Sequence, residues 1–150
     1  MITFSKLLPE NNIVLNVEAG SKKRVFEEAG LLFQNNIGLS HTTVYDSLFA
    51  RERLCSTGLG QGIAIPHGRI KGLKTAIGAF LRLAKPVPFE AHDGKPVFLV
   101  FVLLVPEQAT EQHLQILSEL AQRFSDRNFR EAISQAETSA AVHELFCQSV

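Results

Sequence analysis

Apolar residues recur at helical spacing in several segments of this chain and run together without a break in another. From Ser21 onward, Val25, Phe26, Ala29, Leu32 and Phe33 share one face, and the Ser21 hydroxyl suits the free N–H groups of a helix start. That helix is expected to reach about Asn35 and to end at Asn36-Ile37-Gly38, where glycine fits the left-handed cap. Ser40 opens a second helix to roughly Arg53, with Val44, Leu48 and Phe49 inward. Ile13-Val14-Leu15 suits an edge strand, and Thr75 to Leu83 a further strand. Val97 to Val105 is continuously apolar, rich in Val and Phe, and stops at Pro106. A strand without alternation is a central one, covered on both faces. Thr110 is placed to cap a helix to about Phe124, with Leu114, Leu117, Ala121 and Phe124 on one stripe. Asn128 to Gln135 and Ser139 to Cys147 form a closing helical pair. The order helix, helix, strands, helix, helix predicts an α/β fold: a small mixed β-sheet with helices on both faces. No repeat or linker divides it, so residues 1–150 are expected to form a single domain.

Composition narrows the function. A chain of 150 residues, 45% hydrophobic and with eleven Phe, can build one substantial core, burying about 70% of its unfolded surface. Fifteen basic residues balance fifteen acidic ones, without the basic excess expected of a nucleic-acid binder. The N-terminal residues lack the charge and apolar run of a signal peptide. Val97 to Val105 is far shorter than the roughly 20 residues a bilayer-spanning helix needs. Cys55 and Cys147 lie far apart, without metal-ligand spacing. A reduced, cytoplasmic protein without membrane insertion is the expectation.

The chemistry concentrates in Gly58-Leu59-Gly60-Gln61-Gly62-Ile63-Ala64-Ile65-Pro66-His67-Gly68. Gly58, Gly60 and Gly62 free the backbone for conformations that a side chain forbids and for close approach. Pro66 fixes one φ angle and pushes Ile65 toward an extended conformation. His67 is thus expected on a stiff, partly bared turn, with Gly68 removing bulk beside it. Other roles fit less well. The five histidines are scattered, and no pair has the i, i+4 spacing of helical metal ligands, so no metal or other cofactor is expected. Cys55 lacks a nucleophile elbow. Gly62 is followed by Ile-Ala-Ile rather than the Lys and Ser/Thr of a nucleotide loop. What remains is His67 as a nucleophile toward a phosphoryl group, with loop N–H groups as an anion nest. Leu59 and Ile63 are candidate contacts for a docking partner. His92-Asp93 in its turn, and His41 and His143 on helices, read as solvated surface; Phe98, Phe101 and Phe124 read as core.

The run from Arg51 through Gly68 resembles the signature of the fructose/mannitol-type enzyme IIA of the bacterial phosphoenolpyruvate-dependent phosphotransferase system, most closely its nitrogen-regulatory branch. The likeness extends to Ser21-Lys22-Lys23, to Leu103-Leu104-Val105-Pro106 and to Thr110 through His113-Leu114, about residues 20 to 125. Cys55 departs from it, where a small residue such as Gly is expected. The resemblance implies a mixed sheet flanked by helices. It also implies a phosphoryl group carried on the tele nitrogen of His67, received from a small histidine-containing phosphocarrier protein. It further makes His113 a second active-site histidine, and Arg51 the phosphate-binding arginine. By position alone, Arg51 is a solvated arginine favoured at a helix C-terminus. The resemblance turns it into a planar fork for two phosphate oxygens. A neutral imidazole in the first helical turn suits His113 as a hydrogen-bond donor. Implied targets are regulatory proteins such as ion transporters or sensor kinases. Because the chain carries neither a membrane domain nor a second carrier domain, a regulatory phosphocarrier is preferred. The alternatives are a sugar-specific component relaying phosphate to a fructose/mannitol-type transporter, and a binding domain that is never phosphorylated.

Overall fold

The computed structural model describes residues 3–108 and 111–148. After a short helix α1 (Phe4–Leu7) and one 3-10 turn (Glu10–Asn12) come β1 (Ile13–Val17), α2 (Lys22–Ile37) and α3 (His41–Glu52). Ser21 and Ser40 cap the two long helices through their hydroxyls, at 3.1 and 3.4 Å from Arg24 N and Thr43 N. Gly38, in the left-handed region, closes α2. Three short strands follow: β2 (Gly58–Gly60), β3 (Ile63–Ala64) and β4 (His67–Ile70). The long strands β5 (Ile77–Val87) and β6 (Val97–Pro106) precede α4 (Glu111–Ser125), α5 (Arg127–Gln135) and α6 (Ser139–Cys147).

One mixed sheet runs β1-β5-β6-β3-β2, with β4 also on β6. β6 pairs antiparallel with β5 along one side; along the other, β3 and then β4 run parallel to it. The edge position expected for Ile13-Val14-Leu15 and the central one expected for Val97 to Val105 both hold. Side chains of β6 alternate between two cores: Val100, Val102 and Leu104 face the layer of α2 and α3. Leu99, Phe101, Leu103 and Val105 face that of α1, α4, α5 and α6. The second core centres on Phe146, whose ring lies 5.1–5.9 Å from those of Phe4, Phe80, Phe101, Phe124 and Phe129.

Two expectations need correction. His67 does not sit on a turn: it opens β4, where His67 is aligned with Leu103 and Pro66 O accepts from Leu103 N at 2.9 Å. The ladder to β6 overrides the turn signal of proline and glycine. The α4 stripe is shifted as well. Leu120 and Phe124 are buried and Leu117 is half-buried, but Leu114 is 61% exposed, because α4 packs through its C-terminal half. The Thr110 cap lies outside the described residues.

Candidate functional site

Two consecutive residues at the end of α3 organise the site. Arg51, in its last turn, points Nε at Nε2 of His67, 3.1 Å away. Its Nη1 donates to the Cys55 carbonyl at 2.9 Å, with the Cys55 sulfur at 3.7 Å. Glu52 turns inward, its side chain only 3% exposed. Its carboxylate accepts from Thr57 N (3.0 Å), Thr57 Oγ1 (2.6 Å) and Lys22 Nζ (2.9 Å). Lys22, in the first turn of α2, also lies 5.2 Å from the ring centre of Phe89. Hydrogen bonds to charged groups contribute about 1.5–3 kcal/mol each, so this node fixes where the chain leaves α3.

His67 has its other nitrogen, Nδ1, 2.9 Å from the carbonyl oxygen of Ile65. A carbonyl only accepts, so Nδ1 carries the proton; Nε2, facing an Arg N–H, presents its lone pair. Burial, joined by the positive charge of Arg51, lowers the His67 pKa below the ordinary 6.5; the Ile65 carbonyl and the Glu52 charge oppose this without reversing it. The side chain is therefore a neutral, half-buried imidazole whose Nε2 lone pair accepts from Arg51 Nε–H.

The glycines act through packing. A Cβ at Gly68 would collide with Ser47 of α3, which is how α3 comes close enough to β4 for Arg51 to reach His67. A Cβ on Gly58 would meet Ala91 at 2.7 Å, and on Gly62 the Phe98 ring at 2.6 Å. Gly60 and Gly62 have positive φ, at 90° and 80°, as the tight turn between β2 and β3 requires. The N–H of Gly58 goes to Ser56 Oγ and that of Gln61 to Asp93 Oδ2, both at 3.1 Å. These two amides are thereby taken up within the fold.

Leu59 is 40% exposed and available to a partner; Ile63 is 1% exposed, buried against the α4–α6 layer. Ile63 is thus corrected from surface to core: its side chain alternates inward from β3. His113 lies half-buried in the first turn of α4. Arg53 is exposed at the α3 C-cap. Glu52 and Thr57 escaped the sequence reading, although the adjacent Arg-Glu pair and the threonine before the first glycine were the available signal. A cavity of about 840 Å³ opens elsewhere, beside Phe4, Arg123 and Phe129. No helix among the described residues is long and apolar enough to cross a membrane.

The chain is similar to known proteins. The nitrogen regulatory protein of Pseudomonas aeruginosa is 43% identical over 146 residues, 97% of this chain and 95% of that one. The crystal structure of nitrogen regulatory protein IIA-Ntr from Neisseria meningitidis is 55% identical, with a TM-score of 0.89 over 94% of this chain and 97% of that one. The IIA mannitol structure from Escherichia coli shares the fold at 24% identity and a TM-score of 0.74, covering 90% and 95%. The family model described as the phosphoenolpyruvate-dependent sugar phosphotransferase system, EIIA 2, matches residues 6–149, and the chain belongs to that family.

Proposed function

We propose that this chain is a regulatory phosphocarrier: Nε2 of His67 accepts a phosphoryl group from a histidine-containing phosphocarrier protein, and the phosphorylation state selects the protein targets. The observation that carries it is the division of labour at the ring. Ile65 O holds the Nδ1 proton, and Arg51 holds the ring so that Nε2 keeps its lone pair. In the transfer, that lone pair forms the new N–P bond while the donor's N–P bond breaks, and the donor nitrogen keeps the electron pair. Nδ1 keeps its proton, donated to Ile65 O, so the phosphorylated ring is an imidazolium, and the donor ring, protonated at its other nitrogen, leaves as a neutral imidazole. Arg51 gives up Nε2 and turns its N–H groups to the phosphoryl oxygens, where a guanidinium matches two of them. His113 donates to a further oxygen. The donor arrives activated, so positioning and charge stabilisation supply the catalysis. The regulatory role rests on the relatives that span nearly the whole chain, which are named for nitrogen regulation.

Incubation with phosphoenolpyruvate, the first enzyme of the system and a candidate carrier tests this. Intact mass spectrometry is expected to report one acid-labile phosphoryl addition, absent from His67→Ala. An acid-stable modification, or unchanged labelling of His67→Ala, refutes the assignment.

A further inference from the structure

The carbonyl that fixes the His67 ring is itself held by a chain of contacts that ends on a buried carboxylate. His67 Nδ1–H donates to Ile65 O at 2.9 Å. The Ile65 N–H, at the other end of that residue, donates to Thr57 O at 3.1 Å. Thr57 is clamped by Glu52, which takes both its N–H and its hydroxyl. Lys22 completes the clamp from α2. Glu52 follows Arg51 directly, so both constraints on the imidazole start from one turn of helix: Arg51 acts on Nε2, and Glu52 acts on Nδ1 through Thr57 and Ile65. Thr57 is 5% exposed, so water does not readily replace the clamp.

We infer that Glu52, through Thr57 and the Ile65 peptide, is a positioning residue that keeps His67 in the Nδ1–H tautomer and thereby keeps Nε2 ready for phosphoryl transfer. Between Cys55 and Gly58 the chain is neither helix nor strand; Ser56 Oγ donates to Phe89 O at 2.6 Å, and Thr57 is held by Glu52. Without the clamp, Thr57 O loses its fixed place opposite Ile65 N–H. The Ile65 carbonyl is then free to tilt from the ring, and Nδ1 loses the acceptor that makes one tautomer better than the other. Lys22 neutralises the buried charge without touching the imidazole.

The inference rests on the reading of His67 as phosphoryl acceptor, and the test separates the two. The 15N shifts of the His67 ring report the tautomer without any phosphoryl donor, while transfer from the phosphorylated carrier protein reports the rate. Three variants of the full chain suffice. Glu52→Gln removes the charge and leaves one acceptor oxygen where Oε1 accepts from the Thr57 hydroxyl and Oε2 from Thr57 N–H and Lys22 Nζ. Thr57→Val keeps the size and the backbone N–H but removes the hydroxyl. Thr57→Ser keeps the hydroxyl. In the wild type Nδ1 is expected to be protonated and Nε2 bare. Glu52→Gln and Thr57→Val are expected to show both tautomers and transfer slower by roughly ten- to a hundredfold, the scale of a small misplacement of a reacting group. Thr57→Ser is expected to match the wild type in both. Should Glu52→Gln unfold, Thr57→Val decides. A single Nδ1–H tautomer in folded Thr57→Val, or slowed transfer without a change of tautomer, overturns the inference. So does Thr57→Ser behaving like Thr57→Val. A wild type with the expected tautomer that accepts no phosphoryl group refutes the phosphocarrier reading instead, and the tautomers of the variants still decide the role of Glu52.

Discussion

His67 owes its neutrality to place before charge: burial is the largest cause of its lowered pKa, and the Arg51 guanidinium adds to it. The sign for stability follows. In acid the unfolded chain protonates this imidazole first, at its ordinary 6.5. The stability it contributes is complete above that pH and drains away as pH falls toward the lower folded value. Thermal melting across that range is expected to fall less steeply for His67→Gln than for the wild type; equal slopes refute the neutral buried state. The Arg51 fork gives a second expectation. Arg51→Lys keeps the charge but offers one compact ammonium where Nε and Nη1 now act separately on His67 and Cys55. Transfer is expected to slow by roughly ten- to a thousandfold in Arg51→Ala, equivalent to one or two charge-assisted hydrogen bonds. Arg51→Lys is expected to recover only part of it, with melting temperatures near wild type; full recovery argues against the fork. At this scale the sequence was unevenly legible. His67 was marked by its neighbours, proline and glycine. The Arg51–His67 contact was not, because it exists only once α3 docks on β4. Glu52 hid for the opposite reason: a charged residue at a helix end normally faces water, and here three donors pull it inward.

The approach of α3 to β4 is the element-level requirement of the site, and Gly68 with Ser47 sets its limit. Ser47 Oγ donates to Arg69 O at 2.8 Å, so the helix is tied to the strand where the glycine admits it. Gly68→Ala is expected to destabilise by about 1–3 kcal/mol as overpacking, and to slow transfer by moving Arg51 off His67. Ser47→Ala removes the colliding oxygen, so the double variant is expected to regain part of both; a double variant worse than Gly68→Ala alone would contradict the contact. On the other layer Phe146 is 0% exposed at the centre of five rings. Phe146→Ala is expected to cost about 3–5 kcal/mol, readable by chemical denaturation. The long elements were legible because their signals are redundant: caps, apolar stripes and a glycine stop agree on α2 and α3, and unbroken Val and Phe mark β6. β2, β3 and β4 were not, since strands of two to four residues carry no period. They exist because β6 offers them a ladder.

Across the whole molecule, the site lies where the end of α3 meets β4, Leu59 is exposed on β2, and the cavity near Arg123 is lined by other residues. The architecture of one mixed sheet between two helical layers was legible from element order, while the location of the site was not, because β4 was hidden. The net charge of the chain is zero. A phosphoryl group on His67 carries about two negative charges, one of them offset by the imidazolium that bears it. His67 is already held at both ring nitrogens and backed by β4 on β6, so the helices and sheet are expected to stay in place; the change is one of surface charge. A target that covers Leu59 and His67 must desolvate the phosphate or exclude it. Such a target is expected to prefer the unmodified form by roughly ten- to a hundredfold, about 1.4–2.7 kcal/mol. Targets captured with the unmodified protein and His67→Ala, then titrated with phosphorylated and unphosphorylated protein, give the measurement. Leu59→Asp, which puts a charge on the same surface while leaving the ring contacts alone, is expected to mimic part of the loss. Equal affinity of every target for both forms would remove the regulatory reading and leave a phosphate relay toward a sugar transporter as the better account.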